Sequence, residues 1–266
     1  MFSAFFLDGG LGRIFCIAGH PEHNQVTARY LLIAPFGEEM NKSRHVLSAL
    51  VRLLEEAGHA VILPDLTGTG DSEGDFGDAT LEAWRNDLDR AISWLGEDGE
   101  LHVVALRSGA LLAADAAARH EFASVTMIHP VVDGKQWLNQ LLRLRLAGGL
   151  LGSKEKETAA GLRQTLADGL SLEIAGYTIS SELAHAIETL NLAAVSSDHL
   201  RRVEWIELVA DGERPLMPVS QRVIDGWLAD GVQVHAGTLV GDTFWATQEI
   251  AHCPQLLARF ADRLQA

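Results

Sequence analysis

The sequence contains few cysteines, a deficit of basic residues and no long apolar run, and each shortage excludes a class of protein. Lys and Arg number 21 against 36 Asp and Glu, so the formal charge of −15 disfavours nucleic acid and anionic membranes as partners. The two cysteines, Cys16 and Cys253, form no metal-binding spacing, which indicates inert thiols in a reducing compartment. No apolar stretch approaches the roughly 20 residues of a membrane span, and residues 1–8 lack the basic region of a signal peptide. We therefore expect a cytoplasmic protein without an integral membrane segment, a metal or a cofactor.

What is present is the composition of a globular chain with alternating elements. Hydrophobic residues make up 47% and charged residues 21% of the 266 residues. Apolar runs bounded by Gly and Pro predict strands at 12–19, 30–34, 61–65, 101–106, 124–128, 203–209 and 232–239. Helical spacing of apolar residues predicts helices from Asn41, as the cap, to Gly58, and at 81–95, 108–119, 219–228 and 248–264. This alternation predicts a mostly parallel sheet with right-handed crossovers.

Between residues 130 and 197 the alternation stops. Three helices are predicted there, at 136–146, 158–170 and 181–192. An insertion at this point would cover the carboxyl ends of the strands, so we expect a core formed by residues 1–130 and 198–266 and a helical lid formed by 131–197. An apolar stripe that includes Trp137 and Leu144 could contact a membrane, but the negative charge of the chain favours packing on the core.

The most informative segment is the strand-to-helix junction at residues 105–109, which reads Ala-Leu-Arg-Ser-Gly. The nucleophile elbow, G-x-S-x-G, requires small residues at its first and last positions because strand and helix pass close to each other there. Ala105 and Gly109 meet this requirement, which places Arg107 at the tip. The alternative register places Ser108 at the tip, with a leucine that would crowd the turn two residues before it. An arginine cannot act as a nucleophile, since its guanidinium stays protonated.

Three segments, residues 31–37, 65–72 and 105–109, resemble landmarks of the α/β-hydrolase superfamily. The resemblance implies a three-layer α/β fold with a mostly parallel sheet. The longer segments 34–44, 70–72, 106–112 and 243–249 are similar to the second of two hydrolase families associated with the bacterial exosortase A system. The piece Glu-Glu-Met-Asn-Lys-Ser-Arg, residues 38–44, is the most specific part. This resemblance implies a bacterial cytoplasmic protein linked to polysaccharide export, but it supplies no substrate, because a fold does not fix a function.

The other positions of the superfamily triad also depart from the pattern. The resemblance places an acid after strand 203–209, but the matching position is Arg214, with Glu213 and Asp211 as the nearest acids. It places a histidine after strand 232–239, where the chain reads Gly-Asp-Thr-Phe and Asp242 replaces it. His129 and His235 lie in no matching loop, and we interpret both as half-buried or surface histidines. Asp133 stands where some members keep their acid, but capping the following helix is the favoured interpretation.

The elbow could still bind an anion. The backbone N–H groups of Ser108 and Phe36 are the expected oxyanion donors, and Arg107 adds positive charge suited to a carboxylate, phosphate or sulfate. Alternatively, Arg107 pairs internally with Glu38, Glu39 or Asp242. We expect one of the two glutamates to point inward and one outward.

A further interpretation pairs Glu39 with Arg44 near the start of the first long helix, where acids suit the helix dipole.

Two hypotheses about function remain open. The first is a hydrolase in which Ser108, or water activated by Glu38, Glu39 or Asp242, replaces the standard triad. The second is a pseudoenzyme that retains the pocket and lid to sense a ligand or bind a partner. In both, the expected ligand is an acidic small molecule or an envelope-polymer intermediate.

Overall fold

An eight-stranded sheet flanked by helices on both faces forms the frame of the protein. The structure, a computed structural model, describes residues 1–21, 26–149, 157–212, 214–247, 249 and 251–264. The strands are β1 (Phe2–Asp8), β2 (Arg13–Gly19), β3 (Ala28–Ile33), β4 (Ala60–Pro64), β5 (Glu100–Leu106), β6 (Ser124–Ile128), β9 (Arg202–Val209) and β10 (Gln233–Val240), with β7 (Leu172–Ile174) and β8 (Tyr177–Ile179) in a separate hairpin. Their order in the sheet is β1-β2-β4-β3-β5-β6-β9-β10. All pairings from β4 to β10 are parallel, and only β1 and β2 run antiparallel to their neighbours.

The helices divide between the two faces of this sheet. They are α1 (Glu38–Glu56), α2 (Leu81–Trp94), α3 (Gly109–Ala117), α4 (Gly134–Gly149), α5 (Ala159–Ala167), α6 (Ser181–Glu188), α7 (Pro218–Ala229) and α8 (Pro254–Leu264). One apolar cluster joins α1 and α8 to one face of the strands. A second cluster joins α2, α3 and α7 to the other face. The expected three-layer α/β fold with a mostly parallel sheet is therefore confirmed.

The first strand and two helix starts differ from the sequence expectations. β1 was not predicted, because its side chains alternate between exposed and half-buried positions and none is fully buried. Helix α1 begins at Glu38 rather than at a cap on Asn41. Gly37 occupies the N-cap position with φ 63°, a conformation that favours glycine, and two acids fill the first turn, where they suit the helix dipole. Helix α8 begins at Pro254, six residues after the predicted start, and Gln248 lies outside the described residues.

The segment between β6 and β9 contains the three predicted helices, α4, α5 and α6, together with the unpredicted hairpin of β7 and β8. Ala175 and Gly176, both with positive φ, form the two-residue turn of this hairpin. Trp137, Leu138 and Leu142 of α4 are buried and belong to the same apolar cluster as the adjoining core. Packing on the core therefore accounts for these positions of the apolar stripe, whereas Leu144 of the same stripe is exposed.

Asp133 caps this inserted segment, as the favoured interpretation predicted. Its Oδ1 accepts a hydrogen bond from the Gln136 N–H at 3.0 Å, in the first turn of α4. The carboxyl group thus satisfies a backbone donor at the start of a helix. This contact gives the acid at this position a structural role.

A buried carboxylate on α2 should make stability depend on pH. Asp87 accepts hydrogen bonds from the N–H groups of Thr67 at 2.7 Å and Gly10 at 3.3 Å, and no cationic side chain of the described residues pairs with it. Burial raises its pKa above the ordinary 3.8, so the folded state holds this proton more tightly than the unfolded state does. The stabilisation is therefore present at low pH and is lost as pH rises above 3.8 through the folded-state pKa.

Asp87→Asn should consequently gain stability relative to the parent as pH rises from about 4 to 7, by about 1.4 kcal/mol for each unit by which the pKa is raised. Urea unfolding at several pH values measures this difference. Asp230→Asn, at an exposed position, is the control. A difference between Asp87→Asn and the parent that stays constant with pH would show that the carboxyl group does not titrate in this range.

Candidate functional site

The turn between β5 and α3 places Arg107 at the tip of the elbow. Its φ is 53°, in the left-handed region, and its carbonyl accepts hydrogen bonds from the N–H groups of Ala110 at 3.2 Å and Val131 at 3.1 Å. Gly109 packs so closely against β3 that an added Cβ would lie 2.5 Å from the carbonyl oxygen of Ile33. This close approach explains why residue 109 must be small. The turn has the register predicted from the sequence.

Ser108 is fully buried and faces the backbone of the preceding loop. Its Oγ accepts a hydrogen bond from the Phe36 N–H at 2.9 Å. The sequence predicted that this N–H would be free to bind an oxyanion, and that expectation needs correction because the Ser108 hydroxyl already occupies the donor. The Ser108 N–H, the second expected donor, has no acceptor among the described residues.

The Arg107 guanidinium is held inside the protein by three groups. Its Nη2 and Nε donate to Oε1 of Glu39 at 3.2 and 3.3 Å, and its Nη1 donates to the His129 carbonyl at 3.0 Å. The ring of Trp245 lies 5.2 Å from the guanidinium carbon, within the range of a cation–π contact. The Arg107 side chain is only 11% exposed, against 29% for Glu39. The positive charge at the elbow is therefore compensated within the protein.

Of the three carboxylates expected near Arg107, Glu39 alone makes the contact among the described residues. Glu38 points outward, is 45% exposed and pairs with Lys42 at 2.9 Å. One inward and one outward glutamate is the arrangement that was predicted. Asp242 is exposed, and its expected place beside Arg107 is taken by Trp245 from the same loop. A loop sequence does not specify which of its residues turns inward, so this exchange could not be predicted.

The expected pair between Glu39 and Arg44 does not form. Arg44 instead contacts two carboxylates of the loop after β4, Asp65 at 2.5 Å and Asp71 at 3.6 Å. Asp65 also accepts the Asp71 N–H at 2.9 Å, so the carboxylate ties the loop together. The interpretation is wrong because α1 turns Arg44 toward this loop and Glu39 toward the elbow.

His129 belongs to the site although its sequence context did not indicate it. It follows β6 directly, with φ 42°, and its ring lies 4.9 Å from that of Trp245. Its Nδ1 accepts a hydrogen bond from the Leu208 N–H at 3.1 Å. Burial and the neighbouring Arg107 charge lower its pKa to about 4. The imidazole is thus neutral near pH 7, and the lone pair of Nδ1 is committed to the backbone. Its position at the carboxyl end of a central strand was the available signal.

The loop after β9 does not bring an acid to the elbow. Arg214 pairs with Asp211 at 2.6 Å, and both side chains are exposed, while Glu213 lies outside the described residues. Glu207, one of two buried carboxylates of this strand, accepts the Met217 N–H at 2.9 Å and serves the local backbone. His235 is exposed on the edge strand β10. Within the described part of the chain, the positions where the superfamily pattern places an acid and a histidine therefore bring neither group to Arg107.

A cavity of about 300 Å³ opens next to the elbow. Its walls come from the loops after β3, β4 and β10, from the start of α1, and from α4 and the β7–β8 hairpin of the inserted segment. Most of the lining is apolar, with charged side chains confined to the start of α1. The lining residues are Phe36, Gly37, Glu38, Glu39, Lys42, Phe76, Trp137, Gln140, Leu141, Leu144, Ile174, Ala175, Tyr177, Ile179, Trp245 and Ala246.

Two further observations bear on the kind of site. Within the described ranges, no group of three or more His, Cys, Asp or Glu side chains is placed to hold a metal ion. Among the helices of the same ranges, none combines the length and apolar character needed to cross a membrane.

Comparison with known proteins supports the fold. Neither a protein-family model nor a curated protein matches the chain. Among solved structures, Est1E from Butyrivibrio proteoclasticus with bound ferulic acid is 14% identical over 98% of both chains, with a TM-score of 0.64. Proline iminopeptidase from Mycobacterium smegmatis is 15% identical over 99% of this chain and 98% of that chain, with a TM-score of 0.63. A monoglyceride lipase variant from Saccharomyces cerevisiae, solved with a substrate analogue, is 13% identical over 100% and 94%, with a TM-score of 0.61.

These likenesses show that the chain has the α/β-hydrolase fold. At identities of 13–15% they speak to the fold alone. The resemblance to the exosortase-associated hydrolase family is not confirmed by them and stays a prediction.

The ion pair of Arg107 with Glu39 should contribute measurably to stability. Arg107→Met leaves the Glu39 carboxylate and the His129 carbonyl without their donor, and should lower the free energy of unfolding by about 2–3 kcal/mol. This is less than the ~3–5 kcal/mol for a fully buried pair, because Glu39 is partly exposed.

A double-mutant cycle with Glu39→Gln isolates the interaction. We expect a coupling energy of about 1 kcal/mol or more from urea unfolding. The exposed pair of Arg214 and Asp211 is the matched control and should show a coupling below about 1 kcal/mol. Equal coupling in the two cycles would indicate that Arg107 is not held by Glu39 in solution.

Proposed function

We propose that this chain binds a small molecule in the cavity beside the elbow and does not act as a serine hydrolase. The single observation that carries the proposal is the residue at the elbow tip. Arg107 stands where the fold presents a nucleophile, and its charge is neutralised by Glu39. Of the two functions considered from the sequence, the geometry supports the non-catalytic one better.

The surroundings of Ser108 support the same conclusion. A nucleophilic serine needs a base within hydrogen-bond reach, and that base needs an orienting group. The hydroxyl of Ser108 is buried against the Phe36 N–H. The nearby imidazole, His129, uses Nδ1 as an acceptor for the Leu208 N–H. With Nδ1 as the acceptor, the proton of the neutral ring lies on Nε2, so this imidazole has no free lone pair to take the Ser108 proton.

The inserted segment, residues 131–197, acts in this proposal as a lid over the core formed by residues 1–130 and 198–266. Helix α4 and the β7–β8 hairpin supply the side of the cavity that faces the core, through Trp137, Leu141 and Tyr177 among others. Trp137 is buried in the shared apolar cluster, and Leu141 and Tyr177 pack against it, which holds the cavity in shape.

The sequence predicted an acidic ligand, and the charges of the cavity give that prediction little support. Arg107 is paired with Glu39, and Lys42, the cationic side chain in the lining, is paired with Glu38. A bound anion would have to displace a carboxylate.

The similarity of residues 34–44 to the exosortase-associated family supports a bacterial cytoplasmic setting and a role near polysaccharide export, with an envelope-polymer intermediate as one source of the ligand.

Ester hydrolysis by Ser108 should be absent. A fluorophosphonate probe should leave the protein unlabelled, and slow turnover of p-nitrophenyl acetate and butyrate should be equal in the parent and in Ser108→Ala. Rates near about 10 s⁻¹ that collapse in Ser108→Ala would identify Ser108 as a nucleophile and overturn the proposal. Comparable rates that survive Ser108→Ala but collapse in Glu39→Gln would indicate water activation by Glu39.

Ligand binding in the cavity should be detectable directly. We expect a small molecule to co-purify with the protein from a bacterium that carries an exosortase system, and to be found by mass spectrometry after denaturation. Gln140 is exposed and lines the cavity, so Gln140→Trp should fill the opening and abolish the ligand. Arg143→Trp, at an exposed position of the same helix outside the lining, should retain it. The same content in all three proteins would contradict binding at this cavity.

A further inference from the structure

We infer that the cavity selects a neutral, largely apolar ligand with one hydroxyl or N–H donor, and that Oε2 of Glu39 accepts this donor. The inference deepens the proposed function and rests on it. It depends on three features of the cavity wall: a carboxylate oxygen without a partner, a balance of fixed charges and a concentration of aromatic rings.

The first feature is the asymmetry of the Glu39 carboxylate. Both hydrogen bonds from Arg107 end on Oε1. Within the described part of the chain, no group donates a hydrogen bond to Oε2, and Glu39 lines the cavity. Because the guanidinium holds the other oxygen, the free oxygen is an oriented acceptor. Hydrogen bonds to an ionised oxygen are roughly twice as strong as those between neutral groups, so one donor on a ligand gains substantially here.

The second feature is the charge balance around the cavity. The charged side chains at this wall form two pairs, Glu39 with Arg107 and Glu38 with Lys42. Each pair has no net charge, so neither a cation nor an anion gains an uncompensated partner. A charged ligand would still lose its hydration on entry, which is costly without a partner. A neutral donor avoids that cost and still satisfies Oε2.

The third feature is the composition of the remaining wall. The whole sequence has six Trp, two Tyr and nine Phe, and five of these line this one cavity: Phe36, Phe76, Trp137, Tyr177 and Trp245. Aromatic rings bury large apolar areas, and ligand pockets typically combine such walls with a few placed polar groups. The body of the ligand is therefore apolar, and Glu39 is the polar group that orients it.

Arg107 is a positioning residue in this arrangement. It touches Glu39 and Trp245 but does not itself line the cavity. Its two bonds to Oε1 fix the carboxylate plane, and its contact with the indole fixes the neighbouring wall. Loss of Arg107 should therefore alter selectivity among ligands, in addition to stability.

Four probes that share one naphthalene body test the inference: 2-naphthylmethanol, 2-methylnaphthalene, 2-naphthoate and 2-naphthylmethylammonium. Binding is followed by NMR on the indole N–H signals of protein labelled with ¹⁵N-tryptophan, in which Trp137→Phe and Trp245→Phe assign the two cavity signals. We expect the alcohol to bind at least about tenfold more tightly than each of the other three, as for one hydrogen bond to a charged group.

Two paired variants then locate the effect. Arg107→Met combined with Glu39→Leu removes both charges without leaving either one unpaired, and should abolish the preference for the alcohol while 2-methylnaphthalene still binds. Arg214→Met combined with Asp211→Leu removes an exposed pair outside the cavity and should leave the preference intact.

Three results would overturn the inference and leave the proposed binding function standing. They are equal affinity for the alcohol and 2-methylnaphthalene, tightest binding of either charged probe, and an alcohol preference that survives in the Arg107 and Glu39 double variant. Absence of any shift with all four probes would also overturn it. The co-purification experiment decides separately whether the cavity holds a ligand at all.

Discussion

Close packing between β3 and the start of α3 determines the direction in which the elbow residue leaves the backbone. Gly109 approaches the carbonyl of Ile33 so closely that no side chain fits, and Arg107, two residues earlier, is in the left-handed conformation. The side chain of Arg107 is thereby directed toward the ends of the neighbouring strands. A guanidinium placed there needs acceptors, and the carboxylate of Glu39, the His129 carbonyl and the ring of Trp245 surround it.

The start of α1 links this elbow to the cavity. Gly37 caps the helix four residues before the predicted cap, Asn41, and this shift brings two glutamates into the first turn. The dipole of the helix favours acids at that end. Successive helical positions point in directions about 100° apart, so Glu39 turns inward to the arginine while Glu38 turns outward to Lys42. A single glycine cap thus sets which carboxylate reaches the elbow.

The sheet, its flanking helices and the register of the elbow were predictable because they follow from local patterns. Buried parallel strands read as short apolar runs, and the small residues Ala105 and Gly109 mark the turn. β1 was not predictable in this way, since its side chains are only half buried. The β7–β8 hairpin is made of strands of three residues each, too short for a periodic pattern to appear.

The interior of the site was harder to predict than the frame. Glu39 was one of three candidate partners for Arg107, and the sequence offered no way to choose among them. Asp242 and Trp245 belong to the same loop, and only the folded backbone decides that the indole faces the elbow while the carboxylate faces solvent. The bond from the Phe36 N–H to Ser108 joins residues far apart in the chain. Such contacts depend on tertiary geometry, which spacing along the sequence does not record.

Under the proposed non-catalytic function, the position of Trp245 also determines how many changes would be needed to introduce esterase chemistry. Exchanging Arg107 for serine would supply a hydroxyl at the tip, yet the loop after β10 would still turn the indole of Trp245, and no histidine, toward that tip. The same exchange would strip Glu39 and the His129 carbonyl of their donor. Engineering an esterase on this scaffold is therefore not a one-residue repair. The tip, the loop after β10 and the start of α1 would have to be rebuilt together, because each now fills space or balances charge for the others.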